Sequence, residues 1–341
     1  MYKCAIVGVG GGRAKGHAEA YQHIDRGRLT AISTRDRSKL DDFGDQFGVA
    51  ARYTDYREMF AQERPDLVHV NTPPDVRIEV FEAAEEYGVA AVLVEKPLAI
   101  DGGDYRAINA FAQGAKTKIA VNHQLHFHPR RQHLQQLVAD GQIGQLRFID
   151  ASCGMNLAYQ GTHALQAVGA FHPQGVPAQV LGQVAGADGL QDTPRKHFAP
   201  DQCAAAIAFT DGVRAQLVSG PFAPRVLDDE RTNVHKRIAV YGSHGYVHWT
   251  MWSWETLIDG KTDSGTHQYP AEDILGQAAM TEAMFDWLED DKRVHPLNLQ
   301  ASLRDFNTML GIYQSALGRT PVDLPCEPEA DLVGQLQAAL A

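Results

Sequence analysis

Cysteine is scarce. The four thiols in 341 residues, at Cys4, Cys153, Cys203 and Cys326, are spaced too widely for a disulfide framework or a zinc-binding set. Basic charge is also short: 31 Lys and Arg against 42 Asp and Glu leave a net charge of −11. That balance argues against a nucleic-acid partner, whose phosphates need clustered cations. No apolar run nears the roughly 18 residues of a membrane span; the longest are Val89–Val94 and Cys203–Phe209. Met1-Tyr2-Lys3-Cys4 enters a strand-like segment directly, so neither a signal peptide nor a membrane partner is expected. Repeats and low-complexity segments are missing. What is there, 44% hydrophobic and 21% charged residues, reads as a soluble, cytoplasmic globular chain with the length of two domains.

Over the first 120 or so residues, short apolar runs alternate with helical patterns. Tyr2–Val9, Leu29–Ser33, Asp66–Asn71, Val89–Val94 and Lys118–Val121 read as strands. Helical spacing marks Gly16–Ile24, Val76–Tyr87 and Asp101–Gln113. Buried strands alternating with helices predict βαβ units and a parallel sheet covered on both faces. After Asn122 the pattern changes. Pro129–Asp140 has Pro in its first turn and Gly141 just past its end, the signature of a helix. Strands then follow without helices between them: Gln145–Ser152, Gln202–Thr210, Val213–Ser219, Lys236–Tyr241 and Tyr246–Thr250, with hairpin turns at Thr210–Val213 and Gly242–Gly245. Helices over Gly276–Glu289 and Leu299–Leu317 close the chain. The fold class is α/β: a Rossmann-type parallel-sheet domain, then an α+β domain with a large, mostly antiparallel open sheet.

Gly8-Val9-Gly10-Gly11-Gly12 lies between a strand and a helix, the context in which glycines let backbone N–H groups approach a pyrophosphate. Arg13 stands where the third glycine of G-x-G-x-x-G belongs. The residue ending the second strand discriminates between cofactors. A carboxylate there accepts the ribose hydroxyl of NAD and repels a 2′-phosphate. Thr34 occupies that position, flanked by Ser33 and Arg35. Hydroxyls beside a guanidinium favour NADP, with Arg35 also able to stack on adenine. Asp36, swung inward, is the route by which NAD is served instead.

Val94-Glu95-Lys96-Pro97-Leu98, with Asn71-Thr72-Pro73-Pro74 ending the preceding strand, makes the chain resemble the Gfo/Idh/MocA family of oxidoreductases. The resemblance continues through Ala120-Val121-Asn122-His123-Gln124, Phe127-His128-Pro129, Gly141–Gly144, Gly161-Thr162-His163, Val240–Gly245 and Gly318–Val322. It implies a Rossmann domain over residues 1–121 and a substrate-binding domain over 122–296. It also implies that residues 297–341 return to the first domain, and that the second domain's open sheet makes a homo-oligomer interface. The implied activity is hydride transfer between NAD(P) and a hydroxyl or keto group of a sugar, polyol or related cyclic compound.

Carried over by position, Lys96 matches the lysine that contacts substrate oxygen and cofactor, where its ammonium stabilises developing negative charge. His163 matches the family histidine at a helix start, a suitable general base. Asn71, Thr72, Pro73, Glu95 and Asn122 fall at the cofactor, with Asn122 near the nicotinamide. Gln124, His126, His128 and Gln160 fall at the substrate. The family's Asp four residues before the histidine is replaced by Tyr159, here assigned to substrate or acid chemistry, and Gln166 replaces a second common Asp. That departure keeps two alternatives open: a cofactor-retaining glycosidase or epimerase working by transient oxidation, and a non-catalytic NADP-binding regulator. The histidines at 123, 126, 128, 133 and 172 lack an H-E-x-x-H or cysteine context, so no metal is expected.

Overall fold

The computed structural model describes residues 1–191, 196–224 and 235–340. They divide into two compact units, and the division does not follow chain order. The first unit contains Met1–Ala99, Arg106–Phe127 and Asp273–Ser302; the second contains Ile100–Tyr105, His128–Glu272 and Leu303–Ala341.

The first unit is built on six parallel strands, in the order β3-β2-β1-β4-β5-β6. These are β1 (Tyr2–Val7), β2 (Gly27–Ser33), β3 (Ala51–Tyr53), β4 (Leu67–Val70), β5 (Ala91–Glu95) and β6 (Lys118–Asn122). Strands β4 and β5 are buried throughout, as expected of a sheet covered on both faces. Helices α1 (Gly12–Ala20), α2 (Arg37–Phe47), α3 (Tyr56–Glu63), α4 (Arg77–Glu86) and α5 (Gly102–Ala112) follow successive strands. Strand β3 and helices α2 and α3 escape a reading by apolar runs. β3 has three half-buried residues, and α2 is recognisable mainly by Asp36, whose side chain accepts from the Ser38 and Lys39 N–H groups at its N-terminus.

One sheet face packs Ile6, Val9, Ala14, Ala18, Ile32, Leu40 and Phe43 together. The other packs Cys4, Leu67, Leu93 and Ala120 against Met280, Met284 and Phe285 of α8 (Tyr269–Glu289). Arg26, at the entry to β2, fastens α8 through Glu282 at 2.5 Å, Asp286 at 2.8 Å and Glu289 at 3.1 Å. The Tyr2 and Phe285 rings stack with centroids 4.5 Å apart. The segment that rejoins the first unit is therefore 273–302, not 297–341. Most of α9 (Leu299–Gly318), the short strand β15 (Val322–Asp323) and α10 (Leu332–Leu340) belong to the second unit. The reason is local chemistry: α8 carries both the apolar stripe and the acids that Arg26 requires, whereas α9 buries Leu310, Ile312 and Tyr313.

The second unit holds a nine-stranded sheet in the order β14-β13-β12-β11-β7-β10-β9-β8-β15. Its remaining strands are β7 (Leu146–Cys153), β8 (Pro177–Ala185), β9 (Gln202–Phe209), β10 (Arg214–Ser219), β11 (Lys236–Gly242), β12 (Gly245–Thr250), β13 (Ser253–Ile258) and β14 (Lys261–Thr266). The two hairpins expected from turn residues join β9 to β10 and β11 to β12. All pairings are antiparallel except β7 with β10. Helix α7 (Thr162–Phe171) packs on β7, β10 and β11, and α6 (Pro129–Ala139) packs on β12.

Because Phe285 is fully buried between Tyr2 and the first unit's sheet, Phe285→Ala should destabilise that unit by about 3–5 kcal/mol. Amide exchange of β1 and β4 under increasing denaturant measures this. A loss below about 1 kcal/mol is inconsistent with α8 as part of that core.

Candidate functional site

In a parallel sheet the carboxyl ends of all strands lie on one edge. Here β1, β4, β5 and β6 end at Val7, Val70, Glu95 and Asn122. The strand order turns back between β1 and β4, the crevice in which open α/β sheets take ligands. The first turn out of that crevice depends on Gly8. It holds φ at +91°, and a Cβ on it would sit 3.0 Å from the Asn71 carbonyl carbon. Only glycine fits both demands.

Beyond it, Gly10, Gly11 and Gly12 are exposed, and no described atom lies within 4 Å of where a Cβ on Gly11 or Gly12 would stand. Helix α1 opens at Gly12 with no side-chain cap and no acid in its first turn. Its free N–H groups and positive dipole end make a seat for an anion. Beside the loop, Asn71 Nδ2 and Oδ1 and Thr72 Oγ1 are buried without a hydrogen-bond partner among the described residues. Orphaned polar atoms next to an open glycine cradle fit a dinucleotide.

Under this cradle lies a buried carboxylate. Arg13 Nε donates to Glu95 Oε1 at 2.9 Å, His17 Nε2 lies 2.9 Å from the same oxygen, and Asn122 Nδ2 also donates to it. Burial by itself would push the Glu95 carboxyl up. The Arg13 guanidinium, the bond from His17 and the nearby Lys96 ammonium outweigh it and hold Glu95 well below the ordinary carboxylate range. Burial lowers His17, so the ring is neutral and donates its Nε2–H to the anion. Arg13 also reaches Gln277 Oε1 at 2.5 Å and Asp273 at 3.4 Å, and Gln277 accepts from Asn122 at 3.0 Å. Gln124 donates to Asp273 at 2.8 Å.

In this arrangement the Arg13 and Glu95 side chains are engaged with each other, and the Gln124 amide is bonded to Asp273. Asn122 keeps one buried atom, Oδ1, without a partner. Lys96 follows Glu95 at the strand end, half-buried, on a cis Lys96–Pro97 bond. His17, Asp273 and Gln277 belong to the cluster, and no local motif marks them; the latter two are distant in sequence and share a face of α8 only through their spacing of four.

At the end of β2, Ser33 is buried, Thr34 half-buried and Arg35 exposed. Asp36 is occupied in capping α2, at 3.1 and 3.3 Å from two backbone nitrogens, so its inward swing would leave a helix end open. Lys39, also missed by motif reading, lies over the glycine loop: its Cδ is 3.4 Å and its Nζ 3.9 Å from the position of a Gly10 Cβ.

The second unit holds the other expected residues. His163 is buried in α7. It is the second residue of that helix, and a π-helical turn, Leu157–Gly161, leads directly into α7. Asn156 caps that turn through a 2.8 Å bond from Tyr159 N–H. The backbone N–H groups that a helix start leaves free are thus used one turn earlier. Tyr159 lies on this turn with its ring 5.2 Å from His197, and Gln160 Oε1 is buried without a partner. His126 belongs to the first unit beside Phe127. His128 is in the second, fully buried against Trp249, His267 and Tyr269.

Glu95's depressed pKa means its ionised form stabilises the fold above the unfolded carboxyl pKa of about 4.3, and that contribution fades as pH falls through the folded value. Glu95→Gln should therefore cost about 2–3 kcal/mol at neutral pH. The gap between variant and parent should narrow below about pH 4. Denaturant melts at both pH values test this; a gap independent of pH contradicts the ionised cluster.

Residues 2–123 match the family model described as oxidoreductase family, NAD-binding Rossmann fold. A D-apiose dehydrogenase of Paraburkholderia graminis is 29% identical over 143 residues, covering 42% of this chain and 38% of its own. A D-xylose 1-dehydrogenase (NADP(+)) of Haloferax volcanii is 26% identical over 134 residues, covering 39% of this chain and 41% of its own. The matched stretches thus span well under two thirds of these relatives. In fold the likeness extends along the whole chain. An Agrobacterium radiobacter oxidoreductase, solved with NAD+, L-tartaric acid and magnesium, superposes with a TM-score of 0.80 at 18% identity, covering 94% of this chain and 98% of that one.

Proposed function

We propose, from the Gfo/Idh/MocA-type Rossmann domain that residues 2–123 form, that this protein is an NADP-favouring oxidoreductase. It transfers hydride between the nicotinamide and a hydroxyl or keto carbon of a sugar, polyol or related cyclic compound. The observation that carries this reading is the uncapped glycine cradle with the orphaned Asn71 and Thr72 atoms beside it. The names of the apiose and xylose dehydrogenases support the sugar class.

The bound nicotinamide supplies the hydride acceptor or donor; the chain's residues handle binding and protons. Lys96, held at the strand end beside Glu95, stabilises negative charge developing on the substrate oxygen. His163 takes the hydroxyl proton as the carbon–hydrogen bond gives up its hydride and the C=O forms. Tyr159 and the unpartnered amide oxygen of Gln160 would bind substrate hydroxyls, and Asn122, with its unpartnered Oδ1, would help hold the nicotinamide. Arg13, Glu95 and His17 position Lys96 and Asn122. Thr34, Arg35 and Lys39 bind the 2′-phosphate; Asp36, engaged at the helix cap, leaves that phosphate unopposed. The outer face of the nine-stranded sheet, with Leu181 and Tyr241 exposed, serves as the self-association surface.

Lys96→Ala should lower turnover by about 10³-fold while leaving NADPH affinity within about threefold. Full activity in this variant would refute the role. NADPH should bind at least about tenfold more tightly than NADH, and Arg35→Ala should remove most of that preference. Equal affinities in the parent protein contradict the phosphate reading. A spectrophotometric screen of sugars, polyols and lactones with each cofactor tests the reaction class. Tyr159, standing where the family carries Asp, favours one second reading: transient oxidation with retained cofactor, recognised by turnover of a glycoside without net NADPH formation.

A further inference from the structure

The second unit contains a polar cluster that the proposed hydride chemistry does not use. His128 precedes α6, while His267 follows β14 and Glu272 lies five residues on, in the first turn of α8, so two segments distant in sequence meet at one point. One ligand atom from each lies within 4.8 Å of the others. We propose that His128, His267 and Glu272 bind a divalent cation of the zinc type, which ties the start of α6 to the β14–α8 connection.

The geometry is that of converging lone pairs rather than a hydrogen bond. His128 Nε2 and Glu272 Oε2 are 3.3 Å apart, yet both atoms are buried without a hydrogen-bond partner. Two ligands about 2.0–2.1 Å from a tetrahedral zinc stand about 3.3 Å apart, the edge of the tetrahedron. His267 Nε2 lies 3.0 Å from the Thr250 carbonyl oxygen, which makes it the N–H donor and leaves the lone pair on Nδ1. Nδ1 is buried and unpartnered. An imidazole oriented through one nitrogen by a backbone carbonyl, with the other free, is the usual arrangement behind a metal.

The opposing term is positive charge. The Arg131 guanidinium sits 5.2 Å from the centre of the Trp249 ring with Nε and Nη2 unpartnered, and Arg130 lies 4.0 Å from the centre of Trp254. Two neutral imidazoles and one carboxylate leave a dication with net positive charge. The fourth ligand is therefore an anion, hydroxide or chloride, rather than neutral water. This proposal does not depend on the oxidoreductase reading.

Cobalt(II) is the probe, because a tetrahedral site gives it a visible d–d band that needs no enzyme assay. The full chain, stripped with chelator, should bind one equivalent of Co2+ with micromolar or tighter affinity and release it to Zn2+. Zn2+ should also raise the melting temperature. Glu272→Gln and His267→Gln should each weaken binding by at least about tenfold with circular dichroism unchanged. His133→Gln, on the exposed side of α6, should bind like the parent. If His267→Gln does not fold, Glu272→Gln decides alone. No tetrahedral band in the parent, or an undiminished band in Glu272→Gln, overturns the proposal.

Discussion

The first unit depends on one buried anion. Glu95 ends the fifth strand inside a fully covered sheet, where an isolated carboxylate would be expelled or protonated. It remains ionised because Arg13, His17 and Asn122 converge on its Oε1 from α1 and β6. Through Arg13 and Asn122 the network extends to Gln277 on α8. The same interaction thus fixes the helix that begins at the glycine cradle, the strand end that carries Lys96 and the distant helix that closes the sheet's face. Glu95 is the anchor of that network.

Arg13 shows the trade most clearly. In the place of a third glycine, an arginine side chain pointing into the turn would block a phosphate. Its side chain, however, turns inward to the carboxylate, and the turn itself stays clear because Gly11 and Gly12 present no side chain. The anion seat at α1 rests on backbone N–H groups and on the absence of competing caps. The cation beside it is already neutralised.

Much of this was legible in the residue order. Continuous apolar strands alternating with helices predict the parallel sheet, and Gly8 to Gly12 at the first strand end predict the ligand edge. The turn residues at Thr210–Val213 and Gly242–Gly245 predict two hairpins that form. Elements with little full burial of their own escaped: β3 and β13, whose residues are mostly half-buried, and β14, whose residues are mostly exposed. So did the π turn before α7, since Leu157–Gly161 carries no local mark of the extra residue. His128 shows the limit of proximity in sequence. It stands two residues from His126, yet the two belong to different units.

By itself the sequence determined the parallel sheet, its glycine turn and the lack of an acid at the end of β2, because each is written in the local pattern of a few residues. Tertiary structure alone decided that α8 rather than the end of the chain rejoins the first unit, and that Asp273 and Gln277 meet Arg13. It also decided that His128, His267 and Glu272 share a point. Those outcomes turn on which distant groups satisfy a buried charge or a lone pair. Desolvation sets that choice, and it exists only once the chain has closed around the groups.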